Sequence, residues 1–256
     1  MFIGKCVNEL IIQIVYTIFM KRKFAAFDID GTIARNALFF QIVDQLITDG
    51  KLPIEARAKL DEKYTTYRNR EHDQAYKDYS NLAVDTLFKN MTNLKVKDYQ
   101  KAVDKVIARS HKHVYVYTRD LISRLKTEGY FLIALSGSEM YAVNQFMKQF
   151  DFDIVIGETY FEKDGYFTGE AEEVYRNKDR FLKKLIPENN LTIEGSLAVG
   201  DSAGDISMLA HVQNPIAFNP EDSLYEEAKK NGWKIVIERK NVIYELEPKN
   251  GSYLLA

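Results

Sequence analysis

The sequence predicts an α/β protein: a doubly wound parallel sheet with a helical segment inserted after its first strand. Three observations predict it. Short apolar runs recur along the chain, and several end in an acid, a serine or a glycine. Helical stretches lie between several of them, the alternation that builds parallel sheets covered on both faces. From about residue 37 to residue 114 the alternation stops, and apolar residues recur at helical spacing instead.

The first strand is Lys23 to Ile29, KFAAFDI, which runs into an Asp-Gly turn. Further strands are read at Tyr130 to Leu135, Asp153 to Ile156, Ser196 to Val199, Pro215 to Phe218 and Lys234 to Ile237. Helices are read at Leu121 to Glu128, Met140 to Gln149, Lys178 to Ile186, Ile206 to Val212 and Ser223 to Asn231. Tyr160 to Gly169, with aromatic residues flanking Asp164-Gly165, reads as a β-hairpin. The insert, residues 37–114, holds only Gly50 and Pro53 as breakers. Its apolar sets (Phe39, Ile42, Val43, Leu46; Ala83, Val84, Leu87; Val103, Val106) fit several antiparallel helices. Because it leaves the sheet after the first strand, it must cover that strand's carboxyl end, where ligands bind in open α/β sheets. The expected division is an extension at 1–19, a core of 20–36 with 115–256, and a helical cap at 37–114.

Bulk composition narrows the partners. The chain has 256 residues, with 35 Lys and Arg against 37 Asp and Glu, so it carries no large basic field for nucleic acid. Its one cysteine, Cys6, excludes an intrachain disulfide and suits a reducing, cytoplasmic setting. Leu10 to Met20, LIIQIVYTIFM, is apolar but about half the length that spans a bilayer. Lys21-Arg22-Lys23 follows it without a small-residue cleavage site. Three readings stay open there: a true start at Met20, an extra mobile helix, or a membrane-attaching segment.

The chemistry gathers at strand ends. Asp28 and Asp30 stand where the first strand becomes a loop, so both can reach one ligand. One carboxylate can attack phosphorus, and the second can protonate a leaving oxygen and then activate water. Gly31 allows the sharp turn and the close approach of backbone N–H groups to phosphate, with Thr32 following. Alone, this is also what an acidic turn looks like. Ser136-Gly137-Ser138 follows another strand, where a hydroxyl and free amides suit a phosphoryl oxygen; a capped turn reads the same way. Asp201 and Asp205, in Gly200-Asp201-Ser-Ala-Gly-Asp205, add two acids to the same edge. Four carboxylates there repel one another without a cation, and an all-oxygen set suits Mg2+. Lys178 at a helix start can neutralise phosphate and hold the nucleophile, or can be a solvated lysine.

Taken in order, Asp28-x-Asp30-Gly31-Thr32, Ser136, Lys178 and Gly200-Asp201-x-x-x-Asp205 resemble the four motifs of the haloacid dehalogenase superfamily. The match runs from about Lys23 to Trp233. The insert looks like that superfamily's first (C1) cap type, over a Rossmann-like core with the hairpin as a flap. The hairpin's Asp164-Gly165-Tyr-Phe-Thr-Gly169, the Asp205-Ile-Ser-Met-Leu run and Ala217-Phe-Asn219-Pro220 are similar to its phosphoserine-phosphatase-like branch. The resemblance implies that Asp28 is nucleophile and magnesium ligand and that Asp30 is general acid/base, with its carbonyl on the metal. It further implies that Ser136 and Gly137 hold phosphate, Lys178 bridges phosphate and Asp28, Asp201 binds the metal, and Asp205 orients the metal shell. Asp30 argues against dehalogenation. Members acting on phosphoserine usually carry Ser where Gly31 stands and a Glu near the position of Ala37, and an Asn is common at the position of Gly204. Ala37 cannot hold an amine, so other small phosphomonoesters stay open, phosphocholine-like and lipid-derived ones among them.

Other polar residues weigh less. Arg35, at the entry to the insert, is a candidate substrate contact by location. Arg68 and Arg70 are candidate anion contacts or a solvated helix face. His111-x-His113 lacks a third ligand, and His72 and His211 have no evident partners. The function expected is a Mg-dependent phosphomonoester hydrolase working through an aspartyl-phosphate. The alternatives are a non-catalytic phosphate-ligand binder, a phosphotransferase to alcohols, and a membrane-associated variant resting on Leu10 to Met20.

Overall fold

The computed structural model describes residues 21–249 and 252–255. The readings placed on residues 1–19 and on Leu10 to Met20 lie outside them. Strand β1 (Arg22–Phe27) is central. On one side lie β2 (Phe131–Glu139), β3 (Ile154–Lys163) and β4 (Tyr166–Glu172). On the other lie β5 (Leu191–Gly200), β6 (Asn214–Phe218), β7 (Lys234–Arg239), β8 (Val242–Lys249) and β9 (Ser252–Leu255). The spatial order is β4-β3-β2-β1-β5-β6-β7-β8-β9. From β3 to β7 neighbouring strands are parallel, and the edges close with antiparallel pairs. The chain therefore reverses its direction of growth at β1, and the crevice beyond the carboxyl ends of β1 and β5 is the topological switch point.

Successive residues of β1 point to opposite faces, and both faces are buried. Ala25 and Phe27 enter one core and Phe24 and Ala26 the other, all fully buried. The first core continues into the insert, whose helices are α1 (Leu38–Thr48), α2 (Glu55–Asn69), α3 (Ala75–Asn90) and α4 (Val96–Ser110). The remaining helices are α5 (Val116–Thr127), α6 (Met140–Met147), α7 (Lys178–Glu188), the short α8 (Ile206–Leu209) and α9 (Asp222–Asn231).

The chain enters and leaves the insert side by side. Arg35 N donates to His113 O at 2.9 Å, and Tyr115 N donates to Ile33 O at 3.0 Å. A second tether comes from the β3–β4 hairpin, turned at Asp164 (φ 53) and Gly165 (φ 81) as Asp-Gly hairpins are. Val96 N donates to Gly165 O at 3.0 Å, and Phe167 packs edge-on against Tyr99 at 5.4 Å.

Several boundaries differ from the sequence reading. β3 runs without a break from the core into the hairpin. β2 continues through Ser136-Gly137-Ser138, because Glu139 pairs with Glu158 of β3. α8 stops at Leu209, short of Val212. β8 and β9 were not anticipated at all.

Candidate active site

Register brings the motifs together. Phe27 lies opposite Ala134 of β2 and Val199 of β5. Asp28, Ser136 and Asp201 therefore stand at one level of the sheet, and Asp28 N donates to Val199 O at 2.9 Å. Asp28 is 5% exposed and Asp205 is 0% exposed. Lys178 stands at the start of α7 with 1% exposure. Burying a lysine so completely requires partners. Its ammonium donates to Asp28 Oδ1 and, at 2.6 Å, to Asp205 Oδ1.

Asp205 is occupied on both oxygens. Its Oδ2 accepts from Asp201 N and Ser202 N, each at 3.0 Å, which folds the loop that carries Asp201. Asp28 is not: its buried Oδ2 has no hydrogen-bond partner. Carboxylate oxygens of Asp28, Asp201 and Asp205 lie within 4.8 Å of one another. Asp30 points toward β2 and the insert. Its Oδ2 accepts from Ser138 Oγ at 2.7 Å and Ser136 Oγ at 3.0 Å, and its Oδ1 accepts from Leu38 N, the first amide of α1.

The acids are electrostatically out of balance. Burial pushes the Asp28 carboxyl up to about 8, against Lys178 and with Asp205 and Asp30. Lost hydration, then the charges of Asp28 and Asp205, hold Asp201 well above the carboxylate range. Burial also raises Asp30, against its three hydrogen bonds. Burial alone would lower Lys178, but Asp205 and Asp28 outweigh it and hold the ammonium above its ordinary value. Of these four carboxylates the Lys178 ammonium bonds only two, and one buried carboxylate oxygen is unsatisfied. That donor set fits a hard dication.

Gly31 is pressed against this cluster. It has φ +87, and a Cβ there would stand 2.0 Å from Asp201 Oδ2. Thr32 is wholly buried; its carbonyl accepts from Thr118 Oγ1 at 2.8 Å and its hydroxyl has no partner. Gly137 lies under the Tyr175 side chain. Arg35 is exposed where the chain enters the insert, its guanidinium 5.4 Å from the Tyr115 ring centre. Arg68 lies over Tyr64, and Arg70 closes α2 in the left-handed region (φ 53). His111 Nδ1 lies 2.9 Å from Ile107 O, and His113 is exposed.

Sequence reasoning passed over three residues here. Ser138 is two residues beyond Ser136 on one strand, so period two puts both hydroxyls on one face, a signal that was available. Tyr175 packs its ring so closely on Gly204 that a Cβ there would meet Cε2 at 2.4 Å. Glu221 receives the Ala203 amide at 2.6 Å, while its own amide holds Asp201 O at 2.8 Å. Neither Tyr175 nor Glu221 has a local pattern that marks it.

With this geometry in view, the comparisons are specific. A family described as haloacid dehalogenase-like hydrolase matches residues 25–210. The phosphoserine phosphatase of Methanocaldococcus jannaschii is 26% identical over 211 residues, covering 81% of this chain and 90% of that protein. A solved structure of a protein of unknown function from Bordetella pertussis Tohama I has TM-score 0.66 at 21% identity, covering 86% of this chain and 99% of the other. A phosphoserine phosphatase solved as a phospho-aspartyl intermediate analogue has TM-score 0.59 at 22% identity, covering 86% and 95%. The chain belongs to the haloacid dehalogenase-like hydrolase family, as a phosphoserine-phosphatase-like member of it.

Proposed function

We propose that this phosphatase hydrolyses a small phosphomonoester in two steps, with Asp28 as nucleophile and Asp30 as proton donor and acceptor. The observation that carries the reading is the arrangement of Asp28: one oxygen fixed by a buried lysine, the other unsatisfied beside two further carboxylates. In the first step the Asp28 carboxylate bonds to phosphorus and the ester oxygen leaves, taking a proton from Asp30. In the second, Asp30 takes a proton from water, whose oxygen bonds to phosphorus and frees Asp28. Burial raises the Asp30 carboxyl, a direction that favours the proton the first step draws on. Lys178 holds Asp28 in place and offsets phosphoryl charge. Ser136, the Gly137 and Gly31 backbone and Thr32 line the phosphate side.

Asp28, Asp201 and the Asp30 carbonyl would hold Mg2+, with Asp205 fixing the loop behind it. Bound there, the dication supplies charge neutralisation that keeps Asp28 ionised and shields the phosphoryl group. Residues 37–114 serve as a lid that excludes bulk water, hinged where Arg35 meets His113. Arg35 is placed to meet substrate at that hinge. Among the described residues no helix is long and apolar enough to cross a membrane. The single cysteine suits the cytoplasm.

The test is turnover of p-nitrophenyl phosphate with Mg2+ by the full chain and by Asp28→Asn. Turnover by the former and none by the latter is expected. Substantial activity in Asp28→Asn removes Asp28 as nucleophile, and ligand binding without turnover by the unaltered chain favours a phosphate binder.

A further inference from the structure

The insert carries a wall of aromatic rings close to the catalytic edge, and the chemistry above makes no use of it. Phe40 stands two residues beyond Leu38, whose amide bonds Asp30. The Phe40 ring lies 4.7 Å from Tyr79 and 6.4 Å from Tyr76. Tyr67 lies 5.2 Å from Tyr76, and Tyr64 lies 5.4 Å from Tyr79. These rings hold α2 on α3, yet Tyr64, Tyr67 and Tyr76 stay 41%, 38% and 39% exposed. Each of these side chains therefore keeps surface free beyond that packing. On the core side Tyr175, also 40% exposed, lies over Gly137 and Gly204.

The ring geometry says what fits. The Tyr67–Tyr76, Tyr64–Tyr79 and Phe40–Tyr76 planes meet at 54°, 53° and 77°, and Phe40–Tyr79, the flattest pair, at 31°. Tilted rings of this kind form a cup around a compact group, whereas a flat base would need a parallel slot. The surrounding charge says which compact group. The charges that weigh on Tyr76 are Asp201 and Glu221, and those on Tyr79 are Asp44 and Asp61. Arg57 pairs with Asp44 and Lys63 with Asp78, so among the described residues Glu221 and Asp61 are the acids of this set that neither an ion pair nor the metal site engages. The wall already takes one cation, since the Arg68 guanidinium lies 5.8 Å from the Tyr64 ring centre. Aromatic faces within a field of carboxylates attract cations. Ala37, at the start of α1, offers no acid for a primary amine. A quaternary ammonium donates no hydrogen bond and needs only ring faces.

We propose, resting on the phosphomonoesterase reading above, that the substrate's leaving group is a quaternary ammonium alcohol held in the cup of Phe40, Tyr64, Tyr67, Tyr76 and Tyr79.

The test compares kcat/KM for phosphocholine with that for its neutral isostere, in which a tert-butyl group replaces the trimethylammonium. The expected preference for phosphocholine is about tenfold or more, expressed mainly in KM. Tyr76→Leu should collapse that ratio toward one, and Tyr76→Phe, which keeps the ring face, should retain it. The ratio of the two Kd values on Asp28→Asn measures the same preference without turnover. Equal values for the two esters, a preference for phosphoserine or a nucleoside monophosphate over both, or a ratio untouched by Tyr76→Leu overturns the proposal. Failure of the unaltered chain to hydrolyse p-nitrophenyl phosphate or any ester overturns the hydrolase reading instead, and the Kd ratio then still decides the cup.

Discussion

Lys178 donates to Asp205 Oδ1 at 2.6 Å, while the other oxygen of Asp205 holds the amides of Asp201 and Ser202. One buried carboxylate thus ties the ammonium beside Asp28 to the loop that carries Asp201. Replacing Lys178 with methionine keeps the bulk and removes the charge, leaving Asp28 and Asp205 buried without their cation. Breaking a buried pair in this way costs about 3–5 kcal/mol. Loss of a charge aimed at the reacting group lowers kcat by about a hundredfold or more. Urea melts and steady-state kinetics on Lys178→Met check both figures. A variant with unchanged stability and kcat would show that the ammonium is a spectator.

Gly31→Ala tests how tightly the phosphate turn is built. Its φ of +87 costs an L-residue about 1–2 kcal/mol. The added methyl would stand 2.0 Å from Asp201 Oδ2, so Asp201 must move. The variant should lose Mg2+ affinity more steeply than it loses stability, as titration calorimetry beside thermal melts would register. Normal Mg2+ binding would mean that Asp201 can shift at no cost to the metal.

Charge balance makes a prediction that reverses sign with the metal. Without a cation, Asp28 and Asp201 both titrate above ordinary carboxylates, so the folded state binds more protons than the unfolded one. Stability then falls as pH rises from the ordinary carboxylate range through about 8, the value to which Asp28 is pushed. Asp201→Asn removes part of that repulsion, so in chelator at pH 8 it should melt higher than the unaltered chain. In Mg2+ the order should invert, because binding at a hundred times Kd adds about 2.7 kcal/mol to the unaltered protein alone. The same order of melting in both conditions would exclude a metal among these acids.

Much of this site was legible because buried parallel strands are written as short apolar runs, and the residue after each run stands at the ligand edge. Asp28 and Asp201 were found that way. Lys178 was found by its place in an ordered set, since nothing local separates a buried lysine from a solvated one. β8 escaped because Val242–Lys249 buries neither face well and contains Pro248. It is held by pairing with β7, which leaves no hydrophobic period to read. Ser138 meets Asp30 across 108 residues of sequence. The Tyr175–Gly204 contact likewise exists only after the sheet has formed, and the Tyr175 ring fills the space that a side chain at Gly204 would need.

Glu158 supplies a second pH dependence, read as the difference between two proteins that share the Asp28 and Asp201 titrations. It is 8% exposed, and burial pushes its carboxyl up to about 7, against backbone hydrogen bonds from Tyr175 and Val174 and with the charge of Glu173. A carboxyl raised in the folded state favours folding while it is protonated. Its contribution is therefore largest below its ordinary value of 4.5 and is lost as pH rises through about 7. Glu158→Gln removes the titration and keeps a carbonyl acceptor for one of the two amides. Measured in chelator, its stability should fall less than that of the unaltered chain between about pH 4.5 and pH 7.5, by about 1–3 kcal/mol. Because those amides belong to the segment that sets Tyr175 over Gly137 and leads into Lys178, KM should also change less with pH in the variant. Parallel stability curves for the two proteins would place the Glu158 titration outside this window and separate it from the Tyr175 segment.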